Sequence, residues 1–225
     1  MTLSKYPTNL TPKELGLMRR KNRRDKFISA DQFKALLDAA QQRSPRDHAF
    51  IYIAGNVGLR VGEVLALHVT DCEALDNNYL RIPTEKKGVK KDIKRNRNRA
   101  KTIERARNNA IEIPIHPDVA NYILKYIHNQ NITTWLFPGR NQTKPMTVMN
   151  AQYIFDQCRK AANLPLRLSP HALRHFRGLT LYETTGNLTL VQQQLRHASV
   201  RTSLTYIHLS DTKAKEYINA LPPVI

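Results

Sequence analysis

Acidic side chains are scarce in this 225-residue sequence. Eighteen Asp or Glu face 36 Lys or Arg, a formal net charge of +18. A surplus of that size favours a polyanionic partner, with nucleic acid the first candidate. Cysteine is scarcer still: Cys72 and Cys158 stand far apart. They form no disulfide framework and no metal-ligand spacing, as expected of a chain from a reducing compartment. Long apolar runs are also missing, for none approaches the roughly 20 residues that cross a bilayer. The N-terminus has no signal-peptide form either, so the expectation is a soluble, cytoplasmic, DNA-associated protein without membrane, metal or cofactor. No internal repeat is present. Apolar residues nonetheless make up 41% of the chain, which fits a folded core and argues against wholesale disorder.

The positive charge is concentrated. Met1 to Lys26 holds 8 Lys or Arg and Lys86 to Arg107 holds 11, so 48 residues carry 19 of the 36. Either segment alone reads as a solvated face. Two of them flanking patterned, foldable sequence read as arms reaching toward phosphates. Arg19, Arg20, Arg23 and Arg24 in the first, and Lys90, Lys91, Arg95, Arg97 and Arg99 in the second, are the candidate DNA contacts.

Between the arms the pattern is mostly helical. Thr11, Pro12 and Glu14 start a short helix that runs to about Met18. Ser29 with Gln32 starts another, with Phe33, Leu36, Leu37 and Ala40 at amphipathic spacing. A buried helix is predicted over Arg46 to Ala54, interrupted by Gly55 and Gly58, and a helical run resumes from Glu63 to Leu67. Tyr79 to Pro83 and Ala110 to Ile115 alternate as strands, the second with three isoleucines on one face, and a long basic connection joins them. Further helices are predicted over Pro117 to Gln130, Met149 to Ala162, His171 to Thr184 and Leu188 to Leu195. The fold class is therefore mainly α with a small antiparallel β-sheet, an α+β chain.

The residues with chemical potential gather late in the sequence. His171, Arg174, His197 and Tyr206 each have an ordinary explanation: a capping histidine, a surface arginine, a loop histidine and a half-buried core tyrosine. Together they carry more. His171 and Arg174 are three apart and share a helix face, and Arg60 sits at a glycine-marked break where a side chain can be aimed. Two guanidiniums can grip the non-bridging oxygens of a phosphate and favour its more negative transition state. A phenol with an ordinary pKa of about 10 needs such a cationic pocket and a nearby base before it attacks. His171 can supply that base, and a lysine in a strand turn can protonate the leaving oxygen.

GNVGLRVGEVLALHVTD (Gly55 to Asp71), HALRH (His171 to His175) and LRHASVRTSLTY (Leu195 to Tyr206) resemble the motif boxes of the tyrosine recombinases, the phage-integrase family. An H-x-x-R box is common by itself. An upstream arginine box, H-x-x-R, and a histidine nine residues before a tyrosine, in that order, form a specific combination. The resemblance implies a site-specific DNA recombinase or integrase that breaks and rejoins strands through a 3′-phosphotyrosyl intermediate. It makes Arg60 and Arg174 the phosphate clamps, His171 the manager of the tyrosine proton, His197 a phosphate hydrogen bonder and Tyr206 the nucleophile. The family's lysine, in the turn after the second strand of its small sheet, falls on Lys86 or on its neighbour Lys87. Glu63 corresponds to a supporting acid, and His175 to a packing or supporting residue.

The resemblance divides the chain into a basic arm over 1–26, a catalytic domain over 27–210 with a basic insertion at 88–109, and a tail over 211–225. Three departures stand out. Arg196 occupies the place of the glycine usual before the second histidine, and it is an extra cation that could touch DNA. The basic insertion stretches the lysine turn. Only about 28 residues precede the first catalytic-domain helix, so the family's N-terminal DNA clamp is expected to be missing. The resemblance also implies self-association, as a dimer or tetramer on DNA, for which the tail could dock on a neighbour or pack within its own chain. A type IB topoisomerase-like or telomere-resolvase-like strand transferase, and a non-catalytic DNA-binding accessory protein, remain as alternatives.

Overall fold

A computed structural model describes residues 27–83, 110–197, 200–203 and 206. The short helix expected at Thr11 to Met18 and the tail over 211–225 lie outside the described residues. So do Arg19, Arg20, Arg23, Arg24, Lys86, Lys87, Lys90, Lys91, Arg95, Arg97 and Arg99.

Helix α1 (Ala30–Arg43) begins at the expected signal: Ser29 and Gln32 exchange both bonds of a capping box. It buries Phe33, Leu36, Ala39 and Ala40. Ser44 ends α1 and caps α2 (Pro45–Val57), where Pro45 fits the first turn because its missing N–H would have no helical partner anyway. Gly55 lies inside α2 and does not interrupt it. The reason is a long-range contact: a Cβ built on Gly55 would stand 2.4 Å from the Phe33 ring, so the missing side chain lets α1 and α2 close together. The break comes at Gly58, whose φ of 76° ends α2 in the left-handed conformation that glycine adopts at little cost. Two residues later Arg60 precedes the short α3 (Val61–Leu65).

Two 3-10 turns, Val69–Cys72 and Leu75–Asn77, lead into the sheet. Strands β1 (Tyr79–Ile82) and β2 (Ile111–Pro114) pair antiparallel, with Tyr79 opposite Pro114 and Ile82 opposite Ile111. The three isoleucines do not share one fate. Ile113 and Ile115 are buried, whereas Ile111 is 41% exposed at the end of the ladder, where nothing described covers it.

Helix α4 (Pro117–Asn129) packs Val119, Ala120, Ile123 and Tyr126 inward, and α5 (Val148–Ala161) packs Ala151, Ile154, Phe155 and Cys158. The main core joins these faces to α1, α2, the sheet, Leu136 and Phe137. Helix α6 (His171–Thr185) lies against α2 and α7 (Leu188–Leu195). The one-turn α8 (Val200–Ser203) follows. Val191 and Leu195 of α7 enclose Tyr206 in a separate small apolar cluster, bordered by Phe27, Leu179, Leu181 and Tyr182. Among the described residues no helix is long and apolar enough to cross a membrane.

Candidate active site

The centre of the site is a carboxylate. Glu63, one turn into α3, accepts from Arg60 twice: the backbone N–H donates to Oε2 at 2.7 Å and the guanidinium Nη1 donates to Oε1 at 2.7 Å. The amide bond satisfies a helix-start donor, so the carboxylate that braces α3 also holds the Arg60 side chain. From the far end of α7, Arg196 Nη2 donates to Glu63 Oε2 at 2.6 Å. Arg174 Nη1 on α6 stands 3.8 Å from the same oxygen. Burial pushes the Glu63 pKa up, but Arg196, the Arg60 amide bond and the charges of Arg60 and Arg174 outweigh it, and the net shift is downward. Glu63 is thus an anion among three cations.

Arg174 is almost fully buried, at 2% exposure. Its Nη1 donates to the Gly58 carbonyl at 2.7 Å, and its Nη2 donates to the Leu195 carbonyl. These are the last turns of α2 and α7, so one side chain ties together the two helix ends that carry Arg60 and Arg196. Burial, then the neighbouring Arg60 charge, lowers its pKa to about 10, still far above neutrality. The Arg60 side chain is 39% exposed, so it offers the more open donors to an incoming anion.

Arg196 caps the C-terminal end of α7 with φ 53° and ψ 46°. A left-handed residue at this position explains why glycine is usual there. The extra cation turns inward: its side chain is 8% exposed, bound to Glu63 and to the Gln194 carbonyl at 2.9 Å. The expectation of an outward DNA contact gives way because the Glu63 carboxylate, itself mostly buried, is within reach, and pairing with it offsets the cost of taking both charges out of water.

Tyr206 is 1% exposed and packs along α6. Gly178 makes room for it, since a Cβ there would stand 2.4 Å from Tyr206 Cζ and 2.6 Å from its hydroxyl oxygen. The hydroxyl lies 3.3 Å from His175 Nδ1, and the Phe27 ring meets the phenol edge-on at 6.3 Å between centroids. Burial raises the Tyr206 pKa to about 12 despite the opposing Arg174 charge, so the phenol is protonated at neutral pH. His171, exposed at the first turn of α6, sets its ring edge-on to His175 at 4.6 Å. His197 Nδ1 lies 2.8 Å from the Ser203 hydroxyl, and its ring is near-parallel to the Tyr206 ring at 6.2 Å.

Arg60, Arg174, His197 and Tyr206 therefore meet around the ends of α2, α6 and α7. Two further participants emerge. The 133-residue separation of Arg196 from Glu63 hides their pairing from local pattern, although the substitution of a glycine position was a visible signal. His175, read as a packing or supporting residue, has its Nδ1 within reach of the phenol oxygen. Among the described residues no group of three or more His, Cys, Asp or Glu could hold a metal ion.

Known proteins resemble this chain in sequence and in fold. Residues 26–213 match the phage integrase family. The chain belongs to that family, the tyrosine recombinases. It is 30% identical over 222 residues to tyrosine recombinase XerD of Rickettsia bellii (strain RML369-C), covering 95% of this chain and 70% of that one. Tyrosine recombinase XerC of Pediococcus pentosaceus (strain ATCC 25745 / CCUG 21536 / LMG 10740 / 183-1w) is 28% identical over 185 residues, 82% of this chain and 56% of the relative. The fold is similar to the crystal structure of XerA recombinase, with a TM-score of 0.67 at 21% identity over 99% of this chain and 68% of that one. It also resembles XerH site-specific recombinase bound to palindromic difH substrate in a post-cleavage complex, with a TM-score of 0.65 at 19% identity over 86% and 52% of the two chains. The chain spans little more than half the length of several of these tyrosine recombinases.

Proposed function

We propose that the chain binds double-stranded DNA and exchanges strands at a specific site, using Tyr206 as nucleophile. The observation that carries this reading is the convergence of Arg60, Arg174, Arg196 and Glu63 beside His197 and Tyr206. The Tyr206 oxygen attacks the phosphorus, the bond to the 5′ oxygen breaks, and a 3′-phosphotyrosyl link and a free 5′-hydroxyl result. Arg60 and Arg174 bind the non-bridging oxygens, whose charge grows in the transition state. His197, braced by Ser203, adds a hydrogen bond to the phosphate. The phenol proton passes to a histidine, with His171 the residue implied by the motif and His175 the one near the hydroxyl in the resting arrangement. Lys86 or Lys87 protonates the departing 5′ oxygen. The phosphotyrosine stores the bond energy, so reversal by a 5′-hydroxyl of another strand needs no ATP.

Tyr206 as placed is a resting nucleophile. Its hydroxyl is buried against Gly178 and its pKa is raised, so attack requires the ring to leave this pocket. Full exchange joins two duplexes, which calls for several protomers. The basic segments over 1–26 and 88–109 hold the backbone of the duplex through sequence-independent contacts.

The polarity of the covalent product tests the reading. Repeated DNA flanking the coding region supplies candidate sites. After cleavage there, the released end should accept phosphate from a polynucleotide kinase without prior dephosphorylation, while the other end stays protein-bound. A 5′-linked protein would overturn the assignment. Relaxation of supercoiled plasmids that lack any such site, as fast as of plasmids that carry one, would favour the topoisomerase-like alternative.

A further inference from the structure

Arg196 is one residue too many for the chemistry just described. It occupies a position where the backbone favours glycine, it is buried, and among the described residues its Nε has no hydrogen-bond partner. A buried cation held in left-handed backbone calls for an explanation in what its charge does. Surface solubility does not explain it, because the side chain is 8% exposed. Helix termination does not either, since glycine would end α7 with less strain.

The charge balance gives the explanation. Glu63 is needed to start α3 and to hold Arg60, but its negative charge sits directly behind the two arginines that must meet the phosphate. Without Arg196 the cluster is two guanidiniums against one carboxylate, a formal surplus of a single positive charge. With Arg196 at 2.6 Å from Glu63 Oε2 the surplus is two. A phosphodiester carries one negative charge in the ground state and close to two in its pentavalent transition state. A surplus of two favours the transition state over the ground state, the differential on which rate acceleration depends.

We propose that Arg196 is a positioning residue that acts through Glu63: it neutralises the brace of α3 and leaves Arg60 and Arg174 with their full charge for the transition state. This rests on the strand-transfer reading above and assigns a task to a residue that reading does not need. Arg196 makes no contact with the phosphate in this scheme, so its effect falls on the chemical step and not on DNA affinity.

The test separates charge from structure. Arg196→Gly keeps the left-handed turn and removes the cation. On a nicked substrate under single-turnover conditions, its rate of covalent adduct formation should fall about ten- to hundredfold, with the Kd for uncleaved DNA changed by less than about threefold. Arg196→Lys keeps a cation against Glu63 and should recover most of the rate, whereas Arg196→Gln, of similar reach but neutral, should be as slow as Arg196→Gly. Arg196→Gly cleaving like wild type would overturn the proposal. So would Arg196→Lys as slow as Arg196→Gly, or Arg196→Gln as fast as wild type, because a merely structural role does not follow the charge. A readout independent of activity is the Glu63 titration followed by carbon-13 NMR. Arg196→Gly should raise its pKa, and an unchanged titration contradicts the pairing. If wild type itself forms no adduct, the strand-transfer reading fails, and the Glu63 titration alone decides whether Arg196 offsets that carboxylate.

Discussion

Replacing Gly178 by alanine should destabilise the protein even though it improves a helix. Gly178 lies inside α6, where alanine is intrinsically better by up to about 1 kcal/mol. A Cβ there would stand 2.4 Å from Tyr206 Cζ and 2.6 Å from its oxygen. Carbon atoms pack at about 3.5–4.0 Å, so the phenol ring must retreat by about 1 Å or leave. Leu195 Cδ1, at 2.8 Å, is the loose end of a side chain and can yield; the ring, fixed along its length by Val191, Leu195 and Phe27, cannot yield as cheaply. Overpacking of this kind costs about 1–3 kcal/mol, which leaves a net loss of up to about 2 kcal/mol after the helix gain. Urea unfolding of four proteins measures it: wild type, Gly178→Ala, Tyr206→Ala and the double variant. In the Tyr206→Ala background the obstacle is gone, and Gly178→Ala should then stabilise by up to about 1 kcal/mol. A change of sign between the two backgrounds is the expected result. The same effect of Gly178→Ala in both would show that the tyrosine does not rest against α6, and the resting-nucleophile account would fall.

Three further predictions concern charge. Because burial raises the Tyr206 pKa to about 12 from 10 in the unfolded chain, its contribution to stability is full below pH 10 and is lost as pH rises through 12. Wild type should therefore lose about 2–3 kcal/mol more than Tyr206→Phe across that window, read from unfolding free energies on either side of it. Glu63→Ala leaves Arg174 and Arg196 buried without their carboxylate and should cost about 3–5 kcal/mol in unfolding free energy, whereas an exposed pair would cost less than about 1. Deleting residues 1–26 should flatten the dependence of DNA affinity on salt concentration, and an unchanged slope would show that this segment does not lie along the phosphates.

Elements specified by neighbours in sequence were legible from the residues alone. Ser29 with Gln32 marked the start of α1, and the alternation in Tyr79 to Pro83 and Ala110 to Ile115 marked the two strands within a residue of their observed ends. The family motifs brought Arg60 and Tyr206 into one expected site from opposite ends of the chain. Features decided by packing between distant segments were not legible. Gly55 reads as a helix breaker locally and becomes helical because the Phe33 ring covers it. Ile111 shares the periodicity of Ile113 and Ile115 but stands at a sheet end that leaves it exposed. Arg196 reads as an outward cation until Glu63, brought in by the α2–α6 packing, draws it inside. The same holds for the burial of Tyr206: the motifs mark it as the nucleophile but not its resting place, an apolar slot formed by Gly178 and α7 in which it keeps its proton.

The central claim is that Tyr206 becomes covalently joined to DNA within the pocket of Arg60, Arg174 and His197. A nicked suicide substrate carrying the protein's own recombination site, which traps the intermediate because the short cleaved strand diffuses away, tests it most directly. Wild type should give a denaturant-resistant protein–DNA adduct, and Tyr206→Phe should give none while still binding the substrate. An adduct that survives in Tyr206→Phe would contradict the account.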